Sequence, residues 1–192
     1  MSMIRGISDR NVLDEFAEEV CEIVEKHVKY IVVSGFVAIS HGRTRATEDI
    51  DMIIERIDKK KFGELHDDLI ENDFECLQSP KMEDIYEYLE AGDSIRYVRK
   101  NTFLPPEMEI KFCKDKIDEM QLKTRRKFEF TGLDIWFSSI EMNVAFKEEY
   151  LGTDKDMEDA QHLRIIYRDS LDEKEIQKIK IMIKILRKNG KR

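Results

Sequence analysis

Between Val33 and Ile54 the chain reads VSGFVAISHGRTRATEDIDMII, and this stretch constrains the fold more than any other. Tyr30–Val33 is a short β-branched run, the pattern of a buried strand rather than of a helix. Ser34-Gly35 breaks it, residues 36–41 suit a short helix, and Gly42 closes that helix. The polar stretch 43–48 leads into a second predicted strand, 49–55, whose acids alternate with Ile50 and Met52. Residues two apart on a strand point the same way, so Asp49 and Asp51 aim at one spot. Two carboxylates so placed repel each other unless water or a cation offsets their charge. Oxygen donors at this spacing suit Mg²⁺ or Mn²⁺, ions that keep some waters and grip phosphates. The Ser34-Gly35 turn at a helix start adds backbone N–H groups for an anion. A carboxylate pair for metal beside amides for phosphate is the equipment of phosphoryl or nucleotidyl transfer.

Around this stretch the pattern predicts an α/β (α+β) architecture, a mixed sheet flanked by helices and followed by a helical subdomain. Ser8-Asp9 caps a predicted helix with Val12, Leu13, Phe16, Val20, Ile23 and Val24 at helical spacing. Residues 59–72 and 82–91 read as helices, and 74–77, 94–99 and 107–113 as strands. Residues 127–131 and 133–137 suit a hairpin around Gly132. From 139 on the pattern is helical, over 139–151, 154–167 and 171–188. The expected division is an α/β core over 1–137 and a helical subdomain over 138–192, packed together because no Pro/Gly linker separates them.

Composition removes several classes. With 33 basic and 41 acidic residues the net charge is −8, so the chain is not a blanket nucleic-acid binder. A polyanion must meet a local basic patch or metal ions. No apolar run approaches the ~20 residues of a membrane span, and residues 1–10 lack the apolar stretch of a signal peptide. Cys21, Cys76 and Cys113 are odd in number and widely spaced, which predicts core thiols in a reducing cytoplasm. Abundant Lys and Glu against four Gln fit a thermophile's surface, and nine Met fit it less well.

The stretch resembles the signature of the nucleotidyltransferase superfamily that includes DNA polymerase β and the minimal nucleotidyltransferases. That signature is a Gly-Gly or Gly-Ser turn, a helix and then Asp-x-Asp. Gly35, Ala38, His41-Gly42, Arg45, Thr47 and Asp49-Ile50-Asp51 resemble more closely the branch that includes toxins of abortive-infection toxin–antitoxin systems. Ser34 replaces the first glycine of the turn, a mild change if its φ is negative. The resemblance implies a third acid on a later strand, for which Glu109 is the choice, Glu107 the rival and Asp134 a weaker one. It also implies that Lys147 meets nucleotide phosphates and that Asp156, in the Lys155-Asp156…Asp159 segment, closes the site.

The mechanism implied is transfer of a nucleoside monophosphate from an NTP to a hydroxyl acceptor. Asp49, Asp51 and Glu109 would hold two Mg²⁺ (or Mn²⁺) ions, which in such sites lie roughly 3.5–4 Å apart. Ser34 and Gly35 would cradle phosphates, with Lys147 and Arg45 adding positive charge. The implied acceptors are an RNA or tRNA end, a protein side chain or a small molecule, and an antitoxin is an implied partner. The alternative is a catalytically inactive nucleotide-binding or protein-interaction module with the same fold. His41 reads either as a metal or phosphate contact or as a helix C-terminal histidine. The basic run 176–192 reads as a helix wetting its lysines or as a face for RNA or an acidic partner. Trp136 and Phe137 read as core.

Overall fold

The computed structural model describes residues 11–47, 49–102 and 105–188. Helix α1, Val12–His27, starts from a capping box in which the Asn11 side chain accepts from the Leu13 and Asp14 amides and Asp14 bonds back to the Asn11 N–H. The expected Ser8-Asp9 cap lies outside the described residues. Strand β1, Tyr30–Val33, leads into α2, Gly35–Ser40, and then β2, Asp49–Ile54. There follow α3 (Lys59–Glu71), β3 (Phe74–Cys76), α4 (Met82–Ala91), β4 (Ile95–Arg99) and β5 (Glu107–Phe112).

The five strands form one mixed sheet in the order β1-β2-β5-β4-β3, parallel only between β2 and β5. Alternation sorts their side chains onto two faces. On one face Met52, Ile54, Met108, Ile110, Ile95 and Tyr97 are buried. Phe16 of α1 meets Phe74 there, His66 of α3 donates to or accepts from Tyr97 at 2.7 Å, and Tyr86 of α4 meets Phe112. The register gives the other face Asp49, Asp51 and Ile53 of β2 beside Glu107, Glu109 and Lys111 of β5.

Helix α5, Lys116–Lys123, was not expected from the sequence. Its N-cap Asp115 accepts from the Ile117 and Asp118 amides, and it packs against β1 and β2. The predicted hairpin around Gly132 does not form. Arg126 and Phe137 bridge each other, with Phe137 also beside Val32 of β1, and the chain between them makes a 3₁₀ turn at Glu129–Thr131. Gly132, at φ +67°, ends that turn instead of joining two strands. Side-chain burial explains the difference, because the loop turns Phe128 and Phe130 onto His41. Phe137 is in the core as expected, whereas Trp136 is half-buried, with Arg125 over its ring and its Nε1 donating to Glu25. Cys21 is buried and Cys76 and Cys113 are half-buried.

Three helices follow: α6 (Ile140–Phe146), α7 (Asp154–Ile166) and α8 (Glu173–Lys188). Ser139 caps α6, whose helix continues through one wider π turn, Lys147–Leu151, before Gly152 stops it. Helix α8 buries Ile176, Ile179 and Ile183 and leaves Ile181 and Ile185 exposed. Among the described residues no helix is long and apolar enough to cross a membrane.

Candidate active site

A cleft of about 220 Å³ opens between the polar sheet face and the C-terminal helices. Val33, Ser34, Asp51, Ile53 and Lys111 line its sheet side; Gln121 of α5, Asn143 and Phe146 of α6, Lys147 and Leu151 line the rest. The widened π turn directly after Phe146 is what sets Phe146, Lys147 and Leu151 around one opening, a use such turns often have.

On the sheet side, Asp51 pairs in register with Val33 of β1 and with Glu109 of β5. Burial holds its carboxyl above the usual carboxylate range, and Glu109 and Asp49 push the same way. A hydrogen bond from the Ser34 hydroxyl and the charge of Lys111 oppose that rise. Ser34 has φ +65° and ψ −135°, a region that favours glycine, so the condition for a mild Gly-to-Ser replacement is not met. The serine stays there with its hydroxyl on Asp51, at a backbone cost of about 1–3 kcal/mol. Gly35 lies close beneath Arg45: a Cβ there would come 3.0 Å from the guanidinium carbon, so a larger residue would push the end of that side chain aside.

Opposite the sheet is a buried charge cluster. Asp159 of α7 is fully buried, and its carboxylate takes Lys147 at 2.9 Å, with Arg45 and Arg43 on its two oxygens. Lys147 is 2% exposed, and Asp156 stands 3.7 Å from its ammonium. Burial, aided by Arg45 and Arg43 and opposed by Asp156, pushes the Lys147 ammonium down to about 8. Burial and then Arg43 lower Arg45 as well. Asp156 also serves the start of α7, where Thr153 accepts from its amide and bonds its carboxylate. Glu158 also takes Arg43, so three cations, Arg43, Arg45 and Lys147, meet three carboxylates, Asp156, Glu158 and Asp159, in one partly buried cluster.

The structure thus gathers Ser34, Asp51 and Lys147 around one cleft, with Gly35, Arg45 and Asp156 adjoining it through their contacts. Asp49 shares the sheet face, beside Glu107. Glu107 and Glu109 are both on that face, and both are taken by Arg96 of β4, at 2.9 Å and 2.6 Å. Burial first, then Asp49 and Glu109, raise the Glu107 carboxyl. Among the described residues no three acid, thiol or imidazole groups converge into a metal-holding group. Asp134 is elsewhere, 82% exposed and paired to Lys127 at 2.7 Å. His41 is not a metal or phosphate contact. It is fully buried, with Nδ1 2.6 Å from the Val37 carbonyl and Nε2 2.9 Å from the Tyr167 hydroxyl.

Sequence reasoning missed Arg43, Arg96, Lys111, Gln121, Asn143 and Phe146. Lys111 was within reach, since it follows Glu109 by two on a predicted strand. The others depend on strand register or on how helices meet, which no local pattern carries.

This chain has a nucleotidyltransferase-like fold, a five-stranded mixed sheet with flanking and C-terminal helices. It is similar to the crystal structure of an antigenic nucleotidyltransferase-like protein from Paracoccidioides brasiliensis, with TM-score 0.53 and 16% identity over 93% of this chain and 88% of that one. A solution structure of the antibiotic-resistance factor ANT(2'')-Ia aligns at TM-score 0.47 and 12% identity, over 89% of this chain and 92% of that one. No family model and no curated protein sequence matches the chain.

Proposed function

We propose that the protein is a Mg²⁺-dependent nucleotidyltransferase that moves a nucleoside monophosphate from an NTP to a hydroxyl acceptor. The observation that carries this reading is the single cleft with Ser34 and Asp51 on one wall and the buried Lys147 on the other. The carboxylates of the sheet face lie across the cleft from the Lys147–Arg45–Arg43 cluster, which suits a metal-bound polyphosphate lying between them. The donor set fits the metal: the oxygens that the sheet face offers are carboxylate oxygens, and burial, with Glu109 and Asp49 beside it, holds Asp51 above its usual range. Asp49 and Asp51 would hold Mg²⁺, with Glu109 as third ligand. Bound there, the metal supplies charge neutralisation on the phosphates and a more acidic acceptor hydroxyl.

The chain's own groups do the rest. Lys147 and Arg45 bind the β- and γ-phosphates, with the Ser34-Gly35 turn beneath them, and the charge they supply favours departure of pyrophosphate. Asp156 keeps Lys147 aimed at the cleft. Phe146, stacked on Tyr150 at 4.7 Å, lines the cleft and stacks the nucleobase there. Glu109 takes the proton of the acceptor hydroxyl. The acceptor is an RNA or tRNA end, a protein side chain or a small molecule, and a role as the toxin of a toxin–antitoxin pair follows from the sequence resemblance. The cytoplasm is the compartment proposed, on the thiols.

One observation favours the second reading, an inactive nucleotide-binding module: Glu109 is engaged by Arg96. Calorimetry of NTP binding with and without Mg²⁺, on wild type and Asp51→Asn, tests the proposal. Metal-dependent binding lost in the variant supports it. Absence of binding to any NTP by the wild type refutes it.

A further inference from the structure

The register of β2, β5 and β4 places five charged side chains in two rows of one sheet face. Asp49 lies beside Glu107, and Asp51 beside Glu109 beside Arg96. Four carboxylates on adjacent strands should converge, yet among the described residues no three do. The guanidinium of Arg96 explains why. Its Nε lies 2.9 Å from Glu107, and its Nη2 donates to Glu109 at 2.6 Å. One permanent cation with a forked donor set satisfies two acids at once.

We infer that Arg96 is a positioning residue that occupies Glu109, so that a three-carboxylate metal site forms only when the Arg96–Glu109 pair opens. The inference rests on the metal reading of Asp49 and Asp51 above. The pair is built to open. The side chains of Arg96 and Glu109 are 37% and 18% exposed, so water screens their attraction and can solvate both partners when they separate. Without Arg96, Glu109 would face Asp51 across adjacent strands with Lys111 as the remaining cation near them, and a divalent ion would relieve that repulsion. Arg96 therefore stabilises the empty face and competes with the metal for Glu109.

The test is Mn²⁺ binding to the full chain without nucleotide, read from the paramagnetic resonance signal of free Mn²⁺. Arg96→Ala is expected to bind Mn²⁺ about tenfold more tightly than wild type. Arg96→Lys, which keeps the charge but not the fork, falls between them. The gain disappears when Glu109→Gln is added to Arg96→Ala, which separates release of Glu109 from the mere loss of a positive charge. Arg96→Gln, closer in size, carries the same expectation if the alanine variant does not fold. Equal or weaker Mn²⁺ binding by Arg96→Ala and Arg96→Gln, or a gain that survives Glu109→Gln, overturns the inference. Asp51→Asn in the same assay separates the two claims. Wild-type-like Mn²⁺ binding by Asp51→Asn removes the metal reading itself and the inference with it, whereas loss of binding there leaves the Arg96 result to decide alone.

Discussion

Asp159→Asn should destabilise the free protein and at the same time tighten its hold on a polyanion. Asp159 is fully buried and is the shared counter-ion of Lys147, Arg43 and Arg45, of which Lys147 is itself 2% exposed. Removing one member of a buried ion pair costs about 3–5 kcal/mol, because the partner charges stay behind unpaired. Asparagine keeps the shape and one acceptor oxygen, and the two arginines are partly wet, so the lower end, about 3 kcal/mol, applies. For a chain of this size each kcal/mol moves Tm by about 2–4 °C, so a fall of about 6–12 °C is expected by calorimetry. The same three cations then lose the anion they share and keep only Asp156 and Glu158. Inorganic tripolyphosphate, with no metal and no base, should bind the variant at least about tenfold more tightly than wild type, the equivalent of about 1.4 kcal/mol. A Tm within about 2 °C of wild type would mean that the cluster is wetter than its burial implies. Unchanged or weaker tripolyphosphate binding would mean that Asp159 does not compete with phosphates for these groups, and the reasoning would fail.

Other consequences are as direct. Lys147 has a folded pKa near 8 against 10.5 for an unperturbed lysine. Between those values the unfolded chain holds the extra proton, so this group makes stability rise with pH across the window, and the rise should be missing in Lys147→Met when denaturation curves are compared. The lysine also loses charge as pH passes about 8, so tripolyphosphate affinity should fall there in wild type and stay flatter in Lys147→Met. Phe146→Ala should weaken NTP binding by about 1–3 kcal/mol, the worth of one base–aromatic stack, while leaving tripolyphosphate binding unchanged. Ser34→Gly and Ser34→Ala both lose the hydroxyl on Asp51, but only glycine relieves φ +65°. Chemical denaturation should find the glycine variant about 1–2 kcal/mol more stable than the alanine one, and equal stabilities would show that no strain resides there.

How much of this was legible depended on the range of the interactions concerned. Alternation on β2 is local, so Asp49 and Asp51 could be placed on one face from spacing alone, and the sheet agrees. The strand–turn–helix at Ser34-Gly35 was legible for the same reason. The sign of φ at Ser34 was not, because a serine can occupy either region and only tertiary contacts choose. The hairpin around Gly132 failed because a glycine flanked by apolar runs fits a strand turn and a 3₁₀ stop equally well. What decided was the buried ring of His41, whose partners Phe128, Phe130, Phe137 and Tyr167 lie far along the chain. Helix α5 escaped notice because few of its residues face the core, although Asp115 was a readable cap. Arg96 could not be foreseen at all. Its meeting with Glu109 follows from the pairing of β4 with β5, which is set by the whole sheet.

The choice between an enzyme and an inert module of the same fold can be argued from where the molecule keeps its costly features. Ser34 occupies a backbone region that favours glycine, Asp51 is buried beside other acids, and Lys147 is buried deeply enough to lower its pKa. Each of these three carries a cost, and at Ser34 and Asp51 a substitution to glycine or asparagine would remove it, whereas Lys147 is also a partner in the buried Asp159 pair. On the opposite face of the same sheet the strands present Met52, Ile54, Met108, Ile110 and Tyr97 in ordinary core packing, the arrangement expected when stability alone governs. The three costly residues instead line one cleft of about 220 Å³. Strain at Ser34 and desolvation of Asp51 and Lys147 meeting at one opening, with unlike charges on its two sides, are physical marks of a site shaped to bind and polarise a ligand. That concentration favours a ligand site, and it locates the test: Asp51→Asn should raise stability and lower NTP binding together.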